Sequence, residues 1–151
     1  MNNMHDTQVV AVQTSSRTSY ARRLRKLAVA GFIATLAAML ATTLAAVLAQ
    51  AVGVEFVVSD SGELIPLSGI AIMTGFFSVV GVVMAAALLR WSTRPAELFV
   101  RTAVTLTTIS LVPPLLWGAN TATITALMVL HLLAATVMIP TLSRSLRTRS
   151  D

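Results

Sequence analysis

The chain has 151 residues, of which 56% are hydrophobic and only 11% charged, and it contains no cysteine. A soluble domain carries about 25% charged residues, so this composition excludes an ordinary soluble enzyme, a disordered chain and a nucleic-acid-binding module. The lack of cysteine excludes disulfides, thiolate metal sites and a cysteine nucleophile. What remains is an integral membrane protein.

Four apolar runs follow one another along the chain. They lie at about residues 27–49, 69–89, 98–117 and 122–142, and about 20 apolar residues suffice to cross a bilayer. Residues 1–26 are polar without an apolar face, which predicts a disordered basic tail, and residues 143–151 form a second basic tail. We therefore predict an all-α membrane protein in which residues 27–142 form an antiparallel up-down bundle of four transmembrane helices.

The charges of the predicted segments are one-sided. All 11 basic residues fall on one side of the four-helix arrangement together with three acids, giving +8, and the three acids of the first loop, Glu55, Asp60 and Glu63, give −3 on the other side. The positive-inside rule then places both termini in the cytoplasm of a multi-pass protein of the plasma or inner membrane. The topology determinants are Arg22, Arg23, Arg25, Lys26, Arg90, Arg94, Arg101, Arg144, Arg147 and Arg149. A single lysine among many arginines and a high alanine content hint at a bacterial source.

Two targeting alternatives are disfavoured. The sequence Leu48-Ala49-Gln50-Ala51 resembles a signal-peptidase site, but the apolar run before it has 23 residues, whereas a signal peptide has about 7–15. The arginine-rich, serine-rich beginning resembles a mitochondrial transit peptide, but its basic cluster abuts the first apolar run instead of lying along an amphipathic helix.

Small residues recur at a spacing of four in the first run. One stripe contains Ala30, Ala34, Ala38, Thr42 and Ala46. Such stripes allow helices to approach closely in lipid, either within one bundle or between two copies. We favour packing within the bundle, because a protein of this size needs it.

His131 is the one ionisable side chain near the middle of a predicted span, and such residues are functional candidates by default. Counting back from the turn near Ala119 puts Thr108 at the same depth, with Thr105 on the same helix face. We predict an intramembrane polar site of His131, Thr108 and Thr105, and favour a structural His131–Thr108 hydrogen bond over a proton or ligand path. Because His5 is the only other histidine, a metal site is disfavoured.

The third run carries two further features. Pro113 and Pro114 predict a kink, because proline cannot donate to the carbonyls of Ile109 and Ser110. Glu97 and Arg101 lie four residues apart and can pair on the helix surface. No catalytic set, phosphate loop, zinc motif or cofactor signature is present, so neither an enzyme nor a bound cofactor is expected.

The residues also carry a resemblance. The stretches Gly62-Glu63-Leu64-Ile65-Pro66-Leu67, Ser110-Leu111-Val112-Pro113-Pro114 and His131-Leu132-Leu133-Ala134-Ala135 leading to Ile139-Pro140 resemble a family of small four-helix bacterial membrane proteins grouped as a domain of unknown function. The similarity runs from about residue 27 to 147, and it implies the architecture without an activity. Small multidrug transporters also have four helices, but they carry a carboxylate in the first helix and this chain has none there.

These observations lead to a small polytopic membrane protein of structural or accessory role. The alternative is a minimal oligomeric transporter or channel with a path near His131. The expected partners are the lipid bilayer, anionic lipid headgroups at the cytoplasmic face and either a second copy or another membrane protein; nucleic acid is not expected.

Overall fold

The computed structural model describes residues 3–57, 64–116 and 121–147, with side chains from Thr18 onward except that of Pro114. In these ranges the chain forms five helical segments: α1 (Asn3–Ala51), α2 (Leu67–Trp91), α3 (Pro95–Ser110), α4 (Val112–Leu116) and α5 (Thr121–Arg147). The linker between α1 and α2 contributes an isolated antiparallel bridge between Val57 and Leu64, and the described ranges contain no longer strand pairing.

Within the described residues, three helices are long and apolar enough to cross a membrane. They are residues Thr18–Ala51 of α1, all of α2 and all of α5, with 34, 25 and 27 residues. The prediction of an all-helical chain with membrane-length apolar helices is confirmed for the first, second and fourth apolar runs. The prediction holds for the same reason in all three runs. About 20 consecutive apolar residues are enough to cross a bilayer, and in lipid such a segment satisfies its own backbone hydrogen bonds by forming a helix.

The third run, predicted as a span with a kink at Pro113 and Pro114, is divided into two helices. Helix α3 has 16 residues and ends at Ser110, Leu111 interrupts it, and α4 adds only five residues. The N–H of Leu111 donates to Thr108 O at 3.3 Å, a tighter three-residue spacing than that of an α-helix. Pro113 and Pro114 follow after Val112 and cannot donate to the carbonyls one turn earlier, which explains why regular helical bonding stops here.

The beginning of the chain also differs from its prediction. In place of a disordered tail over residues 1–26, α1 already begins at Asn3 and runs to Ala51. Starting a helix is costly, whereas extending one that already exists gains a backbone hydrogen bond for each residue fixed. The apolar part of α1 therefore supports a polar extension, and the whole helix is about 73 Å long at 1.5 Å per residue.

The helices pack as neighbours around a common core. Helix α1 lies against α2 and α5, and α3 lies against α5 and α2. The arginine-end cluster is the buried set near the basic residues: Leu27, Ala34, Ala38, Ala85, Phe99, Met138, Leu142 and Leu146. The linker-end cluster is the buried set near the α1–α2 linker: Ala46, Phe56, Ile70 and Leu130. The first draws on α1, α2, α3 and α5, the second on α1, the linker, α2 and α5.

Close approach of α1 and α2 depends on small residues. A Cβ atom on Gly31 would lie 2.6 Å from Cγ2 of Val82, and one on Gly75 would lie 2.9 Å from Sδ of Met39. In the small-residue stripe Ala34, Ala38, Thr42 and Ala46 are buried. The stripe therefore serves packing inside the bundle, as favoured from the sequence.

Candidate functional site

His131 lies half-buried on α5. Its Nδ1 is 2.8 Å from Leu127 O, one turn earlier on the same helix. Because a carbonyl oxygen only accepts, this contact assigns the ring proton to Nδ1. Nε2 is then an acceptor, and it has no hydrogen-bond partner among the described residues. The ring is thus oriented by its own helix and presents one open acceptor.

The predicted partners of His131 do not meet it. Thr108 is exposed and its hydroxyl donates to Val104 O at 3.0 Å, so the predicted His131–Thr108 hydrogen bond is wrong. Thr105 is also exposed. Counting residues from a turn fixes the depth of a side chain but leaves its rotation about the helix axis open, and the two threonines lie on the face of α3 that points away from the bundle.

Other polar residues of α3 occupy the more covered face. Thr107 and Ser110 are half-buried, and the Ser110 hydroxyl donates to Thr107 O at 2.7 Å. They share a face with Phe99, which is 2% exposed, because residues at spacings of eight and eleven return to the same side of a helix. We did not predict from the sequence that Phe99 anchors α3. The pattern indicates it, because Ala96 and Ala103, three and four residues away, lie on the same helix face as this aromatic residue.

A polar contact between α1 and α2 was also missed. The Thr42 hydroxyl, 1% exposed, donates to Ala38 O at 2.9 Å and lies 3.2 Å from the hydroxyl of Thr74. Thr42 therefore combines the small size needed in the packing stripe with a hydrogen bond across the helix interface. At the linker end, the buried Thr123 of α5 donates to Glu55 O at 2.6 Å and ties the linker to α5.

An apolar groove opens at the linker end between α1 and α5. It has a volume of about 580 Å³ and is lined by Ala45 and Ala49 of α1 and by Val52 and Val54 of the linker. On the α5 side the polar lining residues are Thr121 and Thr125, and the Thr125 hydroxyl is already bonded to Thr121 O at 2.8 Å. Hydrocarbon fits this lining better than a polar ligand does.

The basic residues lie together at the opposite end. Exposed members are Arg22, Arg25, Lys26, Arg90, Arg94, Arg101, Arg144 and Arg147; Arg23 is half-buried, and Arg149 lies outside the described residues. The Arg90 guanidinium lies 6.0 Å from the ring centre of Tyr20, which ties α1 to the end of α2. Glu97 pairs with Arg94 at 3.7 Å instead of with Arg101, so the predicted Glu97–Arg101 pair is wrong.

A catalytic or metal-binding site needs several reactive side chains close together, and few of the described side chains meet this requirement. Among the described side chains, no three histidine, aspartate or glutamate residues lie close enough to hold a metal ion. The kink residues Pro113 and Pro114 lie beside the break at Leu111, and Asp60 and Glu63 lie outside the described residues. The arrangement can therefore bind through surfaces and packing more readily than through a set of reactive groups.

The fold defines an all-helical protein with membrane-length apolar helices. A family model described as a family of unknown function, DUF6069, matches residues 22–148. The chain belongs to this family, which confirms the resemblance to an uncharacterised family. Neither the search of curated proteins nor the search of solved structures found a match.

Proposed function

We propose that the chain is a multi-pass membrane protein with four antiparallel spans and both termini in the cytoplasm. Contacts between early residues of α1 and late residues of α2, such as Gly31 with Val82, support the antiparallel arrangement. The +8 and −3 distribution of formal charge supports the orientation. The third span would consist of α3 and α4 together, with the break at Leu111 within it.

The role is structural or accessory, carried by packing against itself or another membrane protein. The observation that supports this role is the hydrogen bonding of the hydroxyl groups in the membrane-length helices. Thr35 donates to Gly31 O at 2.9 Å and Thr141 donates to Val137 O at 2.7 Å, each to a carbonyl one turn earlier on its own helix. Hydroxyls satisfied in this way can be accommodated in lipid, and they offer no reaction centre.

A second candidate function is a minimal transporter or channel. It is favoured by one observation, the open Nε2 of His131 in the middle of a span. In the antiparallel arrangement, counting from Phe99 on α3 and from Leu142 on α5 brings Thr107 and Ser110 close to the level of His131. These three residues would line the path, in place of Thr105 and Thr108.

Anionic lipid headgroups are the proposed partners at the cytoplasmic end. Arginine binds phosphate oxygens through two parallel hydrogen bonds. Each basic side chain near an anionic membrane surface adds about 1 kcal/mol of attraction. The basic groups of all four spans converge on this end, so lipid contact there follows from the proposed orientation.

The two functions are separated by a flux measurement on purified protein in vesicles that contain a pH-sensitive dye. For a structural role we expect proton flux no higher than in empty vesicles, both for the wild type and for His131→Leu. The matched control is Thr136→Leu, an exposed position on the same helix. Flux in the wild type that disappears in His131→Leu and persists in Thr136→Leu would replace the structural proposal with the transport proposal.

The orientation is tested separately with cysteine substitutions, since the chain has no cysteine of its own. Ser61→Cys, in the acidic linker, should react with an impermeant thiol reagent in intact cells. Thr93→Cys, an exposed position between α2 and α3, should react only after lysis. The reverse labelling pattern would overturn the orientation.

A further inference from the structure

Helix α3 turns its polar side away from the bundle. Its covered side carries Phe99, with Ala96, Val100 and Ala103 packed around it. The α3 polar stripe is the exposed set on the opposite side: Arg94, Glu97, Arg101, Thr105 and Thr108. Their spacings of three and four residues place all five on one helix face. No comparable exposed polar stripe is present on the described apolar parts of α1 and α2.

The stripe extends into the apolar region. Phe99 packs in the arginine-end cluster with Leu27, the first residue of the first apolar run. Arg101 follows two residues later, and at 1.5 Å per residue Thr105 and Thr108 lie about 6 and 10 Å further along the axis. A single copy of the chain would thus present a charge and two hydroxyls to lipid, where polar groups are better covered by another helix.

The stripe contains both signs of charge, so Glu97 of one copy can pair with a base of another copy. Glu97 pairs with Arg94 at a long 3.7 Å, and both side chains are more than half exposed, at 56% and 78%. Arg101 has no acidic partner among the described residues. When two copies stand side by side in one orientation about a two-fold axis, equal residues lie at equal depth, so Glu97 of one copy is one helical turn from Arg101 of the other.

We propose that the α3 polar stripe is the surface through which two copies of this chain associate in the membrane. Thr105 and Thr108 face their counterparts across the two-fold axis, where the Thr108 hydroxyl, which already donates to Val104 O, can still accept a hydrogen bond. Glu97 of each copy pairs with Arg101 of the other. The proposal rests on the membrane placement given under the proposed function. An acid, a base and hydroxyl groups on one stripe satisfy the requirement of a two-fold interface, which must be complementary to itself.

Cysteine cross-linking in native membranes tests the interface. Thr105→Cys and Thr108→Cys should each give a disulfide-linked dimer on mild oxidation. The matched control is Leu106→Cys, which is on the same helix at the same depth, is 51% exposed and points well away from the stripe. We expect several-fold more dimer from the two stripe positions than from the control. Equal yields at all three positions, or no dimer at any, would overturn the proposal.

A charge exchange in the Thr105→Cys background tests the ion pairs. Glu97→Arg and Arg101→Glu should each lower the dimer yield, and the double variant should restore it. If Arg101→Glu does not insert, Glu97→Gln carries the test, because it leaves every basic residue in place and should lower the yield. Unchanged yield in Glu97→Gln, or no recovery in an inserted double variant, contradicts the pairing. Correct labelling of Ser61→Cys in the same membranes separates failure of the interface from failure of the membrane placement.

Discussion

The two ends of the bundle are built differently. At the arginine end, four helices contribute to one buried cluster, and α3 enters it through Phe99. At the linker end, the aromatic residue of the buried cluster is Phe56, which belongs to the linker. This cluster contains no described residue of α3 or α4. Helix α3 thus contributes a fully buried side chain at one end only, and its regular bonding ends at Leu111 on the way to the other. The contrast shows that a helix of this bundle can be anchored by a few residues within half of its length.

The largest expected effect comes from removing that anchor. Phe99→Ala should destabilise the protein by about 3–5 kcal/mol, because it deletes a buried ring and leaves a cavity in the arginine-end cluster. The measurement is reversible unfolding in mixed detergent micelles. The control Leu106→Ala, at an exposed position of the same helix, should change the free energy of unfolding by less than about 0.5 kcal/mol. Equal effects of the two variants would mean that α3 is not anchored through Phe99.

An intermediate effect is expected from crowding the α1–α2 contact. Gly31→Ala should destabilise by about 1–3 kcal/mol, because the new Cβ would lie 2.6 Å from the stiff, branched side chain of Val82. Gly75→Ala meets the sulfur of Met39 at 2.9 Å, and a flexible methionine can move aside. Thermal unfolding of the two variants should therefore rank Gly31→Ala as the more damaging. The opposite ranking would show that this contact is looser than the contact at Gly75.

Part of this architecture could be predicted from the sequence. The runs at 27–49, 69–89 and 122–142 correspond to parts of α1, α2 and α5, since uninterrupted apolar length is a strong signal that needs no tertiary information. The beginning of α1 at Asn3 was not predictable from composition, because it depends on a helix already formed further along the chain. Thr105 and Thr108, predicted to lie beside His131, are exposed on the outer face of α3, whereas Thr107 and Ser110 are half-buried. Threonines occur on both the exposed and the more covered face of α3, so their positions alone do not show which face packs against the bundle. The packing of Phe99 fixes the rotation of α3.

The smallest expected effect compares two threonines of similar chemistry. Thr42→Val removes a hydroxyl that lies 3.2 Å from Thr74 on the neighbouring helix, and hydrogen bonds between helices in membranes contribute about 0.6 kcal/mol on average. Thr108→Val removes a hydroxyl bonded only to Val104 O of its own helix, so the free energy of unfolding of a single copy should hardly change. The same Thr108→Val substitution should nevertheless lower the yield of the Thr105→Cys cross-link, because that hydroxyl belongs to the α3 polar stripe. The opposite result would be that Thr108→Val lowers the free energy of unfolding as much as Thr42→Val does and leaves the cross-link yield unchanged. Thr108 would then stabilise the interior of the bundle, and the two ends would be more alike than their packing indicates.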